Sequence, residues 1–141
     1  MPMREKAATE KPLVTFTYYA ANLAKSTSNG SLAHSGTSTD AVNGAVMPWS
    51  GSVVGIAVSL NANKTAGTLS FSPTINGVVT TMQASVANSA SVARATAPVG
   101  RHRFAAGARL GCVYNSNGSM APDGSLDVAV EVYVQFDGVK V

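Results

Sequence analysis

The segment "SLDVAVEVYVQF", residues 125–136, restricts the fold of this chain more than any other. Leu126, Val128, Val130, Val132, Val134 and Phe136 hold one set of alternate positions; Asp127, Ala129, Glu131, Tyr133 and Gln135 hold the other. Successive strand side chains point to opposite faces, so this period of two makes one apolar face and one mixed face. A helix would scatter the same valines around its whole circumference. The segment therefore belongs in an antiparallel sheet with one covered side.

Other segments repeat the pattern less strictly. In "LVTFTYYA" (13–20), Val14, Phe16 and Tyr18 share a face, and Thr15, Thr17 and Tyr19 share the other. "GSVVGIAVSL" (51–60) reads as a strand with Val54, Ile56, Val58 and Leu60 inward, and Val53, Gly55, Ala57 and Ser59 outward. "NANKTAG" turns the chain, and "TLSFSPTI" returns it with Leu69 and Phe71 inward. Asn76-Gly77 is a type I′ hairpin signal, because both central residues of that turn need positive φ. "VVTTMQASV" follows as the next strand, while Pro73, lacking a ladder N–H, is expected at an edge or bulge.

Residues 24–44 are rich in Ser, Thr, Gly and Asn and read as a long loop, with a short strand around Leu32. Residues 87–100 read as weakly structured. Leu110, Cys112 and Tyr114 alternate inward, before turns at Asn117-Gly118 and at "APDG" (121–124). No segment shows a 3.6-residue period. The expectation is an all-β chain of two antiparallel sheets with seven to nine strands.

At 141 residues, one domain is expected, with about 65–70% of the unfolded surface buried. Charged residues are only 12% of the chain, against about 25% in ordinary soluble domains. Ser, Thr and Asn, at 16, 12 and 9, supply much of the polar surface instead. That balance suits a protein packed against copies of itself or a larger assembly. The net charge of +3 does not demand a nucleic-acid partner. Cys112, the single cysteine, reads as a buried apolar thiol. No apolar run approaches the roughly 20 residues that cross a bilayer, and residues 1–12 lack a signal-peptide core, so synthesis in the cytoplasm with no membrane partner is expected.

Residues 1–12 stand apart. Arg4, Glu5, Lys6, Glu10 and Lys11 crowd charge between Pro2 and Pro12 with no apolar face. They read as an extended N-terminal arm outside a β domain spanning 13–141. A frayed terminus without a role is the plainer alternative.

Catalytic patterns are missing. The two His, one Cys and seven acids have neither structural-zinc nor EF-hand spacing, so no metal and no cofactor are expected. His34 and Asp40 fall among serines, but there is no nucleophile elbow and no phosphate-binding glycine loop. Asp40 is the only acid between Glu10 and Asp123, a thin basis for paired-carboxylate chemistry. The expectation is a protein that is not an enzyme.

Two features remain. Arg94, Arg101, His102, Arg103 and Arg109 form a basic run that could meet an acidic partner surface. The alternative is a solvated loop whose arginines pair with Asp123, Asp127 or Glu131. Nucleic acid fits less well, because no base-stacking aromatics are interleaved with the arginines. The second feature is the outward strand face carrying Val53, Ala57, Ala129 and Tyr133, apolar enough to meet another subunit. Trp49, just before the strand, is either a core anchor or an interface anchor.

"MPWSGSVVGIAVSLNANKTAGTLSFSPTING" (47–77), followed by "FAAGARLGCVY" and "GSLDVAVEVYVQFDG", resembles a β-sandwich module of tailed-bacteriophage structural proteins. The shared pattern is a Pro-aromatic-x-Gly lead-in, a Val/Ile/Leu strand, "AGT(L)", an "NG" hairpin, "F-x-A-G" and a final Val-rich strand. It covers roughly residues 46–138, with Ala108 where the family usually has Asp after "AG". The resemblance implies a jelly-roll sandwich, related to trimeric tumour-necrosis-factor-like domains and without catalytic residues. Such modules serve as capsid decoration (cement) proteins or as terminal domains of tail fibres. The expectation is a homotrimeric decoration protein on the outside of a phage head, bound to the major capsid protein and stabilising the shell. A 141-residue chain without an upstream shaft favours that role over a fibre tip. Met3, Arg4, Lys6 and Lys11 of the arm are the expected lattice contacts. Alternatives are a tail-fibre or receptor-binding domain, or a carbohydrate-binding sandwich using Trp49, Tyr18 or Tyr19 as a sugar platform.

Overall fold

The computed structural model describes residues 11–34 and 44–138, and every regular element among them is a strand. One sheet is built around β12 (Leu126–Phe136), which pairs with β1 (Leu13–Leu23) on one side and β5 (Gly51–Lys64) on the other. Beyond β1 lies β3 (Ala33–His34); beyond β5 lie β9 (Ala90–Thr96) and β10 (Arg103–Phe104), in turn along its length. The second sheet centres on β11 (Arg109–Ser116) paired with β6 (Leu69–Ile75). β2 (Gly30–Ser31) and β4 (Ala45–Val46) flank β11; β7 (Val78–Val79) and β8 (Ala84–Ser85) flank β6. All pairings are antiparallel, and the chain crosses repeatedly between sheets while its first and last long strands lie side by side. This is the jelly-roll arrangement.

The alternating residues of β12 are sequestered, all six inward side chains being at most 4% exposed. They meet Ile56, Val58 and Leu60 from β5 and Phe71, Leu110 and Cys112 from the opposite sheet in one core. Burial of about 1.5–3 kcal/mol per large apolar side chain holds the layers together. Tyr18 ties them further: its hydroxyl donates to the Leu110 carbonyl, a fully buried bond between sheets. Burial pushes the Tyr18 phenol and the Cys112 thiol well above their ordinary pKa values, so both stay neutral.

The hairpin signal at 76–77 is realised. Asn76 and Gly77 both have positive φ, and Ile75 faces Val78 across the turn. The turn also braces β11, since Asn76 Oδ1 accepts from the Arg109 backbone N–H at 2.9 Å. Pro73 lies within β6, opposite Cys112. Its carbonyl accepts from Thr80, on the side where β7 and β8 leave a gap between them, so the missing N–H breaks no ladder bond.

Several expectations need correction. Twelve strands, some of two residues, stand among the described residues instead of seven to nine, and 78–86 holds β7 and β8 instead of one strand. Residues 90–96 are a strand, β9, rather than weakly structured chain; its inward residues, Ala93 and Ala95, are too small to produce a visible alternation. His34 is not in a polar loop but ends β3, opposite Tyr18, with its ring 5.3 Å from the tyrosine ring. Val53 does not face outward. Between Tyr133 and Val134 the β5 register slips by one residue, leaving Val54 as a bulge and swinging Val53 into the core at 0% exposure.

Candidate interaction surfaces

The outer face of the β12 sheet is defined by its register. One cross-strand row runs Val92, Ser59, Ala129, Tyr19; the next runs Arg94, Ala57, Glu131, Thr17; a third runs Thr96, Gly55, Tyr133, Thr15. Small side chains fill its middle. Val92 is 65% exposed and Tyr19 50%, so the first row ends in apolar groups that the described residues do not cover. Tyr133 lies beside Gly55, and its hydroxyl donates to Glu131 at 2.7 Å. That bond raises the phenol pKa. Ala57, Ala129 and Tyr133 thus share one face as expected, while Val53 is excluded from it. Arg94 and Glu131 occupy one row two strands apart, with no ion pair between them.

Trp49 sits at the end of the sandwich, half-buried, with its ring edge-on to Phe136 at 5.5 Å. Phe104 meets the same phenylalanine at 6.1 Å, so Trp49 caps an aromatic cluster at the core's margin. Tyr18 is buried, Tyr19 is on the outer sheet face, and Trp49 is at the far end of β12. The three do not form a common sugar-stacking platform.

The basic run is dispersed. Arg94 is on the outer face through β9, Arg101 and His102 border shallow clefts with Thr81, and Arg109 begins β11 on the other sheet. Arg103 pairs with Asp137 at 2.6 Å, not with the three acids considered from sequence. Ser50 Oγ donates to the same carboxylate at 2.9 Å. The Arg103 bond, then the Ser50 bond, hold the Asp137 carboxyl below its usual range. Burial, then the neighbouring Arg101 charge, lower the His102 pKa.

Of the arm residues, Met3, Arg4 and Lys6 lie outside the described residues, as does Asp40 of the polar loop. Lys11 is exposed, next to Pro12, whose carbonyl accepts from Phe136 N–H at 3.0 Å. Among the described residues, no three His, Cys, Asp or Glu side chains group as a metal site.

Sequence reasoning missed a polar cleft at the outer face of the β11 sheet. It has a volume of about 670 Å³ and is floored by the cross-strand row Ser85, Ser70, Asn115. Lys64 and Asn88 form one wall. The only available signal was Lys64, the single charge in residues 47–77.

No family model and no curated protein matches this sequence. Solved structures do share the fold. Over 89% of this chain and 86% of that one, it is similar to a chain of the cyanophage Pam1 capsid asymmetric unit, with a TM-score of 0.51 and 12% identity. At that identity the likeness is one of fold.

Proposed function

We propose that this chain is a non-enzymatic structural protein of a phage virion, a homotrimeric decoration protein that sits on the outside of the head and stabilises it. The observation that carries the reading is the jelly roll it has in common with a chain of the Pam1 capsid asymmetric unit over nearly its whole length. The outer face of the β12 sheet supports self-association. Four strands about 4.8 Å apart, with an eleven-residue central strand rising about 3.3 Å per residue, outline roughly 700 Å². A stable interface buries about 800 Å² per partner. The face is rich in small residues, and its unpaired Arg94 and central Glu131 offer a copy rotated about a symmetry axis one cation for one anion.

The arm, residues 1–12, extends the reading. Its basic residues Arg4, Lys6 and Lys11 reach neighbouring capsid subunits, and the ordering cost of about 1–2 kcal/mol per residue is offset by new contacts. The test is solution mass by light scattering over a range of concentrations, followed by co-sedimentation with undecorated heads. A mass three times the 14.3 kDa chain, with saturable binding to heads, is the expected result. A monomer that also fails to bind heads would sink the proposal.

A further inference from the structure

The cleft on the β11 sheet contains a charge that no acid among the described residues balances. Lys64 is 1% exposed, yet among the described residues its ammonium donates only to neutral oxygens: the Gly67 carbonyl at 2.5 Å and Asn88 Oδ1. Among the described residues, no carboxylate lines the cleft. A buried ammonium bound only to neutral groups leaves net positive potential in its surroundings, and it retains a third N–H.

The amides around it are polarised the same way. Asn88 spends its oxygen on Lys64, and Asn117 spends its oxygen on the Thr68 N–H at 3.0 Å. Those donors fix which end of each amide is which, and neither Nδ2 donates elsewhere among the described residues. Asn115, by contrast, satisfies both ends against Asn29. What remains along the walls and floor includes Asn88 Nδ2, Asn117 Nδ2, the Ser28, Thr68, Ser70 and Ser85 hydroxyls and the Gln83 amide, a set rich in donors and backed by one cation.

We propose that this cleft is a binding site for an oxyanion, a carboxylate or sulfate, held by amide and hydroxyl donors in the field of Lys64. Its volume exceeds what a bare anion fills, and its hydroxyls match those of a sugar, so the oxyanion comes either free or carried on a saccharide acid. The site is independent of the virion reading, because none of the described residues that line it belongs to the outer face of the β12 sheet.

The test is an amide-resolved NMR titration of the full chain with sodium sulfate, acetate, glucuronate and glucose at constant ionic strength. Saturable shifts confined to Gly67–Thr68, Asn88 and Asn117 on adding an oxyanion, with glucose at least ten-fold weaker, are expected. Glucuronate binding ten-fold tighter than acetate identifies a sugar-borne anion; equal binding identifies the free anion, and either supports the site. Ser85→Asp places a carboxylate on the cleft floor at an exposed, fold-neutral position and should weaken binding at least ten-fold. Lys64→Met should abolish it, but Lys64 also clamps two turns, so Ser85→Asp carries the decision. The proposal is overturned by no saturable shift, by glucose binding as well as glucuronate, or by unchanged binding in Ser85→Asp.

Discussion

Single residues hold the turns of this sandwich, and two glycines separate the reasons. Gly67 and Gly77 both have positive φ, at +72° and +79°. A Cβ at Gly77 would meet nothing, whereas one at Gly67 would overlap the Met120 backbone nitrogen. Gly77→Ala should therefore cost only the left-handed strain, about 1–2 kcal/mol. Gly67→Ala adds a backbone displacement, for a total of about 3–4 kcal/mol. Urea denaturation of both variants checks the ordering, and equal losses would refute it. Asp137 makes a second residue-scale prediction. Its carboxyl is lowered in the folded state by Arg103 and Ser50, so the folded chain binds a proton there less readily than the unfolded chain. That stability is fully present above the ordinary carboxyl value of 3.8 and is lost as pH falls through the depressed value. Wild type and Asp137→Asn should converge in melting temperature below that window, by calorimetry from pH 2 to 6; a gap that stays constant across the range contradicts the assignment.

At the scale of elements, legibility followed side-chain size. β12 and the outer half of β1 were readable because large apolar groups alternate with polar ones, and the Asn76-Gly77 hairpin because its backbone needs both residue types. β9 was not, since alanines line its inward face and a sheet supplies its hydrogen bonds regardless of side chain. The Val53 error came from a bulge: one unpaired residue inverts every face assignment before it, and alternation within a single strand does not encode its partner's register. The basic run is contiguous in sequence only, because its members are near in the chain but belong to different sheets. Where the face of a residue was read correctly, it is testable. Ala129 lies mid-row on the outer face between Ser59 and Tyr19, away from the core. Ala129→Arg should leave the melting temperature of the monomer unchanged within about 0.5 kcal/mol of stability. It should also convert the assembled form to monomers in light scattering. Retained assembly would move the subunit interface to another surface.

For the whole molecule, the sandwich and the arm make separable demands. The sandwich closes on itself between Pro12 and Asp137: Phe136 N–H binds the Pro12 carbonyl at 3.0 Å, and Asp137 N–H binds that of Ser50 at 3.0 Å. A truncation ending at residue 10 therefore leaves both closing bonds intact, and the domain should melt as the full chain does. Residues 1–10 nevertheless contain Arg4 and Lys6, two of the ten basic residues of a chain whose net charge is only +3. If these residues run across lattice neighbours, their loss removes exposed ion pairs of about 0.2–1 kcal/mol each together with the backbone contacts they anchor. Summed over the three arms of the proposed trimer, a few tenths to one kcal/mol per contact becomes a large factor in attachment, because the arms would engage together. The truncated protein should bind undecorated heads at least ten-fold more weakly than the full chain, and the difference should shrink as salt is raised. Equal occupancy of heads at matched concentration and low salt would show that the sandwich alone makes the attachment, leaving the outer loops of the two sheets as its footing.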